Sequence, residues 1–265
     1  MRCYGLVGRH IDHSWSPAFF AEKFRRESIT DASYDLFPLE NIDSLRDLLR
    51  SRPDLCGFNV TVPYKEAIVD YLDGLDETAA RIGAVNCVRV IPQESLSKEQ
   101  VSLLDNTFPR QQGLYLFGYN TDASAFAESL SQDWNLPERA LVFGTGGAAK
   151  AVADVLQEYK IEFCFVSRCP YGDKVISYRD LNADSVQKYR LWINATPVGM
   201  WPDVSDCLPL PYDVLNSDFY LYDLIYNPQE TEFLKKGRLR GSHTKNGLAM
   251  LHRQAELSWN IFNLD

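Results

Sequence analysis

Leu141-Val-Phe-Gly144-Thr-Gly146-Gly147-Ala148-Ala149-Lys150 is the most informative stretch of the chain. Apolar residues suited to a buried strand run straight into a glycine cluster, and small residues then open a helical pattern that continues to Tyr159. Gly144, Gly146 and Ala149 take the Gly-x-Gly-x-x-Ala form. Such glycines permit a tight turn and let backbone N–H groups approach a pyrophosphate at the positive end of a helix. Glycine spacing alone also serves any crowded strand-to-helix turn. The strand before it and the helix after it favour a dinucleotide over that plainer use.

Outward from this turn, strand patterns recur at 140–143, 162–166, 191–194 and 219–224, with the helix at 148–159 between the first two. A βαβ beginning followed by more strands is the order of a doubly wound parallel sheet. The tail, 248–262, reads as one amphipathic helix. The type of dinucleotide should show near the end of the second strand, where the chain reads Phe163-Cys-Phe-Val-Ser167-Arg168-Cys169. No carboxylate waits there for a ribose 2′-hydroxyl. Arg168 can instead pair with a 2′-phosphate, which favours NADP over NAD; the plainer reading is a solvated arginine.

The first half also alternates strands and helices, an α/β layer pattern. Strands are expected at 4–7, 34–37 and 57–62, and helices from Ser16-Pro17 through Phe24, over 42–50, and from Pro63 through Leu72. The polar stretch 92–113 is an exposed excursion between two strands, with Leu114-Tyr-Leu-Phe117 as the second. No internal repeat or low-complexity segment is evident.

The 265 residues, with 27 Lys and Arg against 36 Asp and Glu, carry a net charge of −9, and both halves are acidic. That balance argues against a broad nucleic-acid footprint. Hydrophobic residues at 45% and charged residues at 24% suit an ordinary globular protein of one large or two modest domains. No apolar run approaches the roughly 20 residues of a membrane span, and Gly8, Arg9 and His10 interrupt any signal-peptide stretch. The six cysteines and four histidines are scattered, so neither a zinc site nor a disulfide framework has a pattern to rest on. The expectation is a cytoplasmic protein with reduced thiols and no metal.

Two further phrases carry chemistry. In Asn59-Val-Thr61-Val-Pro63-Tyr-Lys65-Glu66, the lysine falls in the first turn of the expected helix, where the macrodipole disfavours a cation unless an anion lies close or proton loss is part of its work. In Gly118-Tyr-Asn120-Thr121-Asp122 a carboxylate stands where another helix begins, and by itself it reads as a helix cap. A lysine and an aspartate together can exchange a proton with a substrate hydroxyl.

These phrases, with His13-Ser14-Trp15-Ser16-Pro17, Gly83-Ala-Val-Asn86, Asn194-Ala-Thr196-Pro-Val-Gly199-Met200 and Asn246-Gly247-Leu-Ala-Met250-Leu-His-Arg-Gln254, occur in an order that resembles the shikimate dehydrogenase family over nearly the whole chain. The resemblance implies an α/β substrate domain, 1–121 with the returning tail 242–265, and a Rossmann-like NADP-binding domain, 122–241, with an active-site cleft between. It implies NADP-dependent, reversible reduction of 3-dehydroshikimate to shikimate in chorismate and aromatic amino-acid biosynthesis. Ser14 and Ser16 would hold the substrate carboxylate, with a cap for the helix at Pro17 as their plainer role. Thr61, Asn86, Asp122 and Gln254 would bond ring hydroxyls, Tyr226 would line the pocket and Asn59 would support the cluster. Lys65 would sit over the reacting oxygen, with Asp122 beside it. Gly144, Gly146, Gly147, Ala148, Ser167 and Arg168 would take the nucleotide, and Thr196, Met200 and Gly247 its nicotinamide end. A monomer or homodimer without nucleic-acid or membrane partners is implied.

Three features depart from the family pattern. Its usual Asn-Arg-Thr is Ser167-Arg168-Cys169 here, with Lys174 the nearest second basic residue; Trp15 separates the two serines; and 35 residues separate Asn86 from Asp122. The alternatives are a quinate/shikimate dehydrogenase using NAD and a non-catalytic NADP-binding sensor. Loss of Lys65 or Asp122 would mark the sensor, and both are present. Aminoshikimate-type substrates stay open, whereas a Ser–His hydrolase lacks a nucleophile elbow.

Overall fold

Two six-stranded sheets organise the chain, one mixed and one wholly parallel. A computed structural model describes residues 1–96, 113–131 and 136–264, and the chain divides into two compact units, Met1–Thr121 with Ala255–Asp265, and Asp122–Gln254.

The first unit runs β1 (Arg2–Gly8), α1 (Ser16–Arg26), β2 (Ala32–Pro38), α2 (Leu45–Ser51), β3 (Leu55–Val60), β4 (Gly74–Leu75), α3 (Glu77–Ile82), β5 (Cys87–Pro92) and β6 (Leu114–Tyr119). Its sheet has the order β2-β1-β3-β5-β6-β4. β1 is parallel to both neighbours, and β5 is antiparallel to both of its own. Cys3 and Val7 face one apolar cluster while Tyr4 and Leu6 face another, the period-2 signature of a strand covered on both sides. Phe20 and Phe24, one turn apart on α1, join Trp259 and Phe262 over the second face. Pro92 pairs with Leu114, so the polar excursion leaves and returns on adjacent strands; 97–112 lies outside the described residues.

Two helix expectations change. The segment after Pro63 is a 3₁₀ turn, Ala67–Tyr71, rather than an α-helix through Leu72. The Ile68 N–H bonds the Tyr64 carbonyl in α fashion (2.9 Å), but the next carbonyl, that of Lys65, accepts the N–H of Val85 (2.7 Å) while Val69 bonds Glu66 (3.2 Å), so the α ladder does not continue. Lys65 therefore stands in a single α-type turn ahead of that 3₁₀ piece. At α1 the cap position is Trp15, with no side-chain cap, and Ser16 is already helical. The Ser14 hydroxyl accepts the Ser16 N–H at 3.2 Å.

The second unit contains α4 (Thr121–Ser131), which begins at the last residue of the first, then β7 (Arg139–Phe143), α5 (Gly147–Glu158), β8 (Glu162–Ser167), β9 (Val175–Ser177), α6 (Ala183–Val186), β10 (Leu191–Asn194), β11 (Tyr220–Asp223), α7 (Glu232–Leu239), β12 (His243–Lys245) and the start of α8 (Leu248–Phe262). The order β12-β11-β10-β7-β8-β9 is parallel throughout, as the strand patterns predict. The order reverses between β7 and β10, a topological switch point. The resemblance places the chain's return at residue 242, but β12 pairs with β11, and the second unit keeps the chain through Gln254.

Candidate active site

In the first unit, polar side chains gather under a nearly dry surface. Asn59, Asn86 and Thr121 are only 5%, 3% and 3% exposed. Asn59 Nδ2 donates to the Asn86 carbonyl (3.1 Å) and to Ser258 Oγ (2.7 Å), while its Oδ1 accepts from the Tyr34 hydroxyl (2.8 Å). Both amide hydrogens of Asn59 are thus spent inside the protein, which makes it a support for its neighbours. Asn86 clasps Thr121 twice: its Nδ2 donates to Thr121 Oγ1 (2.9 Å), and its Oδ1 accepts the Thr121 N–H (2.7 Å). The Thr121 and Ser258 hydroxyls lie 3.3 Å apart. Burial pushes the Tyr34 phenol well above its ordinary range, against the pull of a Ser16 hydrogen bond, so Tyr34 is a neutral donor.

The web brings Asn59 and Asn86 together and adds Tyr34, Thr121 and Ser258, to which the sequence assigns no role. Ser258 is one helical turn beyond Gln254, and a serine within the buried Ala255, Trp259, Phe262 face of α8 is the signal that could have found it. The Val85 N–H on the Lys65 carbonyl sets the Lys65 main chain beside Val85 and Asn86. Lys65 is half-buried. The Thr61 N–H donates to the Val7 carbonyl (2.9 Å), fixing its place at the end of β3. Asp122 follows Thr121 in the chain and is 5% exposed; it lies inside the first turn of α4, where a carboxylate complements the helix dipole, and is not the residue that precedes the helix.

In the second unit the glycine turn lies at the switch point. Gly144 adopts φ +104°, and a Cβ there would stand 3.1 Å from both the Ala195 carbonyl oxygen and Thr196 Cγ2, so only glycine fits. Gly146 caps α5 without a side-chain bond, and a Cβ on it would meet nothing within 4 Å. The N–H groups of Gly147, Ala148 and Ala149 thus open the helix with clear space over the turn. That arrangement fits a dinucleotide pyrophosphate.

At the end of β8 the Ser167 hydroxyl accepts the Cys169 N–H (3.3 Å) and Arg168 is exposed. Arg168 lies near Tyr178, whose phenol burial pushes up to about 12 while the guanidinium pulls it down. Lys174 is turned elsewhere, its ammonium 5.5 Å from the centre of the Phe163 ring, at the other end of β8.

After β10, Thr196 donates its N–H (3.0 Å) and hydroxyl (2.7 Å) to Asn194 Oδ1, and Met200 is 44% exposed beyond it. The Gly247 N–H donates to the Ile225 carbonyl (3.0 Å), and a Cβ on Gly247 would fall 2.1 Å from the Leu224 carbonyl oxygen. Close backbone approach therefore requires glycine there and sets it against the turn that carries the half-buried Tyr226. Gln254 Nε2 donates to the Leu251 carbonyl (3.1 Å). Among the described residues no helix is long and apolar enough to cross a membrane.

A parallel sheet that reverses its order at an uncapped glycine turn defines the Rossmann-like class of nucleotide-binding α/β proteins. Residues 6–88 match the model of the shikimate dehydrogenase substrate binding domain. The shikimate dehydrogenase (NADP(+)) of Clostridium beijerinckii is 35% identical over 278 residues, covering 100% of this chain and 94% of its own. That of Methanococcus vannielii is 32% identical over 97% of this chain and 90% of its own. The crystal structure of shikimate 5-dehydrogenase from Thermus thermophilus in complex with NADP(H) and shikimate superposes with a TM-score of 0.78 at 30% identity, covering 99% of this chain and 94% of that one. The chain belongs to the shikimate dehydrogenase family.

Proposed function

We propose that the chain catalyses the reversible, NADP-dependent reduction of 3-dehydroshikimate to shikimate, a step of chorismate and aromatic amino-acid biosynthesis. The observation that carries this reading is the full-length similarity, at 32–35% identity, to proteins named as NADP(+)-dependent shikimate dehydrogenases. NADPH, when bound, supplies the hydride from its nicotinamide ring.

The protein's own groups do the rest. Lys65, as an ammonium, donates a proton to the ketone oxygen as negative charge develops on it, and takes the proton back in the oxidative direction. Asp122 orients the reacting hydroxyl. Ser14 and Ser16 hold the carboxylate with their hydroxyls; Thr61, Asn86 and Gln254 bond the ring hydroxyls, and Tyr226 lines the pocket. Asn59 serves by holding Asn86. Gly144, Gly146, Gly147 and Ala148 receive the pyrophosphate, Ser167 and Arg168 the 2′-phosphate, and Thr196, Met200 and Gly247 the nicotinamide end. Residues 1–121 with the end of the tail bind substrate, and the Asp122–Gln254 unit binds the nucleotide. A cytoplasmic monomer or homodimer, free of nucleic acid and membrane, completes the reading.

The test is nicotinamide absorbance with purified protein, with shikimate and quinate each paired with NADP and NAD. Fastest turnover with shikimate and NADP is expected. No turnover with that pair would overturn the reading.

A further inference from the structure

Asp223 is a fully buried carboxylate at the end of β11 for which the proposed reaction has no use. Its surroundings offer three donors: Asn194 Nδ2 (3.0 Å) and the Ile225 N–H (3.0 Å) to Oδ1, and the Thr231 hydroxyl (2.6 Å) to Oδ2. A carboxylate only accepts, so it dictates the sense of every bond beyond it. Asn194, itself 0% exposed, must turn its NH₂ toward Asp223, which aims its carbonyl at the following loop. Thr196 then donates both its N–H and its hydroxyl to that carbonyl, leaving Thr196 Oγ1 to accept the Val198 N–H (3.2 Å). The other Asp223 bonds fix the turn after β11, which carries Tyr226 and receives the Gly247 N–H on the Ile225 carbonyl, and the start of α7, where Thr231 is the cap. The Trp201 N–H on the Asn227 carbonyl (3.2 Å) joins the two loops again. One carboxylate thus orients both loops, and in the first of them Thr196 stands 3.1 Å from the Cβ that Gly144 lacks.

We propose that Asp223 is the positioning residue for the nicotinamide half of the dinucleotide, acting through Asn194 on the loop of Thr196 and through Ile225 on the turn of Tyr226. It touches neither ligand. The inference rests on the dehydrogenase reading for the identity of the dinucleotide.

The experiment compares two ligands by titration calorimetry, NADP⁺ and adenosine 2′,5′-bisphosphate, which keeps the phosphorylated adenosine end and lacks the nicotinamide. Asp223→Ala severs the chain. Asp223→Asn retains a carbonyl oxygen that can accept from Asn194 and Ile225. The expected result is an NADP⁺ affinity lowered by about tenfold in Asp223→Ala, with bisphosphate affinity unchanged and most of the NADP⁺ affinity restored in Asp223→Asn. An unchanged NADP⁺-to-bisphosphate ratio in Asp223→Ala overturns the inference. A parallel loss of both affinities without rescue by Asp223→Asn overturns it too, since that marks a purely structural residue. If Asp223→Ala does not fold, Asn194→Ser breaks the chain one link on and carries the same expectation and the same refutation. The dehydrogenase reading fails separately: wild-type protein that binds NADP⁺ but leaves shikimate unoxidised sinks that reading and leaves the affinity ratio to decide this one, whereas wild-type protein that binds no NADP⁺ sinks both.

Discussion

Asn59→Leu probes the polar web of the first unit at its centre. Leucine branches at the same carbon as asparagine, so the substitution removes hydrogen bonds without opening a cavity. Three bonds disappear: from Tyr34, to the Asn86 carbonyl and to Ser258. The Asn86 carbonyl still accepts the Val60 N–H (2.9 Å) and Ser258 keeps Thr121 at 3.3 Å, but the buried Tyr34 hydroxyl loses the acceptor it donates to. The cost is then at least that of three ordinary bonds, about 3 kcal/mol, and the stranded Tyr34 donor adds to it. With a urea slope of about 2 kcal/mol/M for a unit of this size, the midpoint of the first unit's transition falls by at least roughly 1.5 M. Equilibrium urea unfolding followed by circular dichroism measures it, and a double-mutant cycle with Ser258→Ala should return a coupling of about 1 kcal/mol. Turnover should fall as well, since Asn86 and Thr121 lose their support. A loss of stability below about 1 kcal/mol, with wild-type turnover, would refute the reasoning.

Lys65→Ala should cut turnover by about 10²- to 10⁴-fold while NADP⁺ affinity, measured by calorimetry, stays put. Arg168→Gln should weaken NADP⁺ binding by about tenfold and leave NAD⁺ binding unchanged, since only the former carries the 2′-phosphate. Gly247→Ala drives a methyl group into the Leu224 carbonyl, 2.1 Å away, and should destabilise the second unit by at least about 3 kcal/mol, read from its thermal unfolding. Asp223 adds a pH dependence. Burial outweighs its three donors and lifts its carboxyl from the ordinary 3.8 to about 6, so the folded protein holds this proton longer than the unfolded chain. The stability that follows is fully present below about pH 4 and is lost as pH rises through about 6, about 3 kcal/mol in all. Urea unfolding of wild type and Asp223→Asn at about pH 4 and pH 7 should therefore show the wild type losing about that much relative to the variant.

Much of the second unit is legible in the sequence because its signals are local. The buried strand Leu191–Asn194 and the helix Leu248–Phe262 have the ends their patterns predict. The glycine turn sits after β7 where strand and helix flank it. Tertiary bonds hide the rest. The pattern after Pro63 is helical, yet the Val85 N–H takes the Lys65 carbonyl, and a single α-type bond from Ile68 to Tyr64 gives way to a 3₁₀ turn. β4, β9 and β12 have two or three residues each, too few for a period to show. The antiparallel setting of β5 and β6 depends on register across the sheet rather than on either strand's own pattern. Tyr34 and Ser258 belong to the polar web for the same reason: their partners are distant in sequence, and nothing beside them marks the role.

Both units hold a polar chain beneath the residues that the family resemblance assigns to ligands, and in both the innermost member has no hydrogen to offer a ligand. Asn59 spends both amide hydrogens on the protein, and Asp223 accepts from three protein donors. Burying such groups is costly unless each is satisfied, so their bonds must form as the fold forms. The direction of those bonds then passes outward. Asn86 faces Thr121 because Asn59 and Thr121 fix it, and Thr196 turns its hydroxyl inward because Asn194 presents a carbonyl. A side chain that binds a ligand can therefore be aimed before the ligand arrives, and the ordering cost is met by folding rather than by binding.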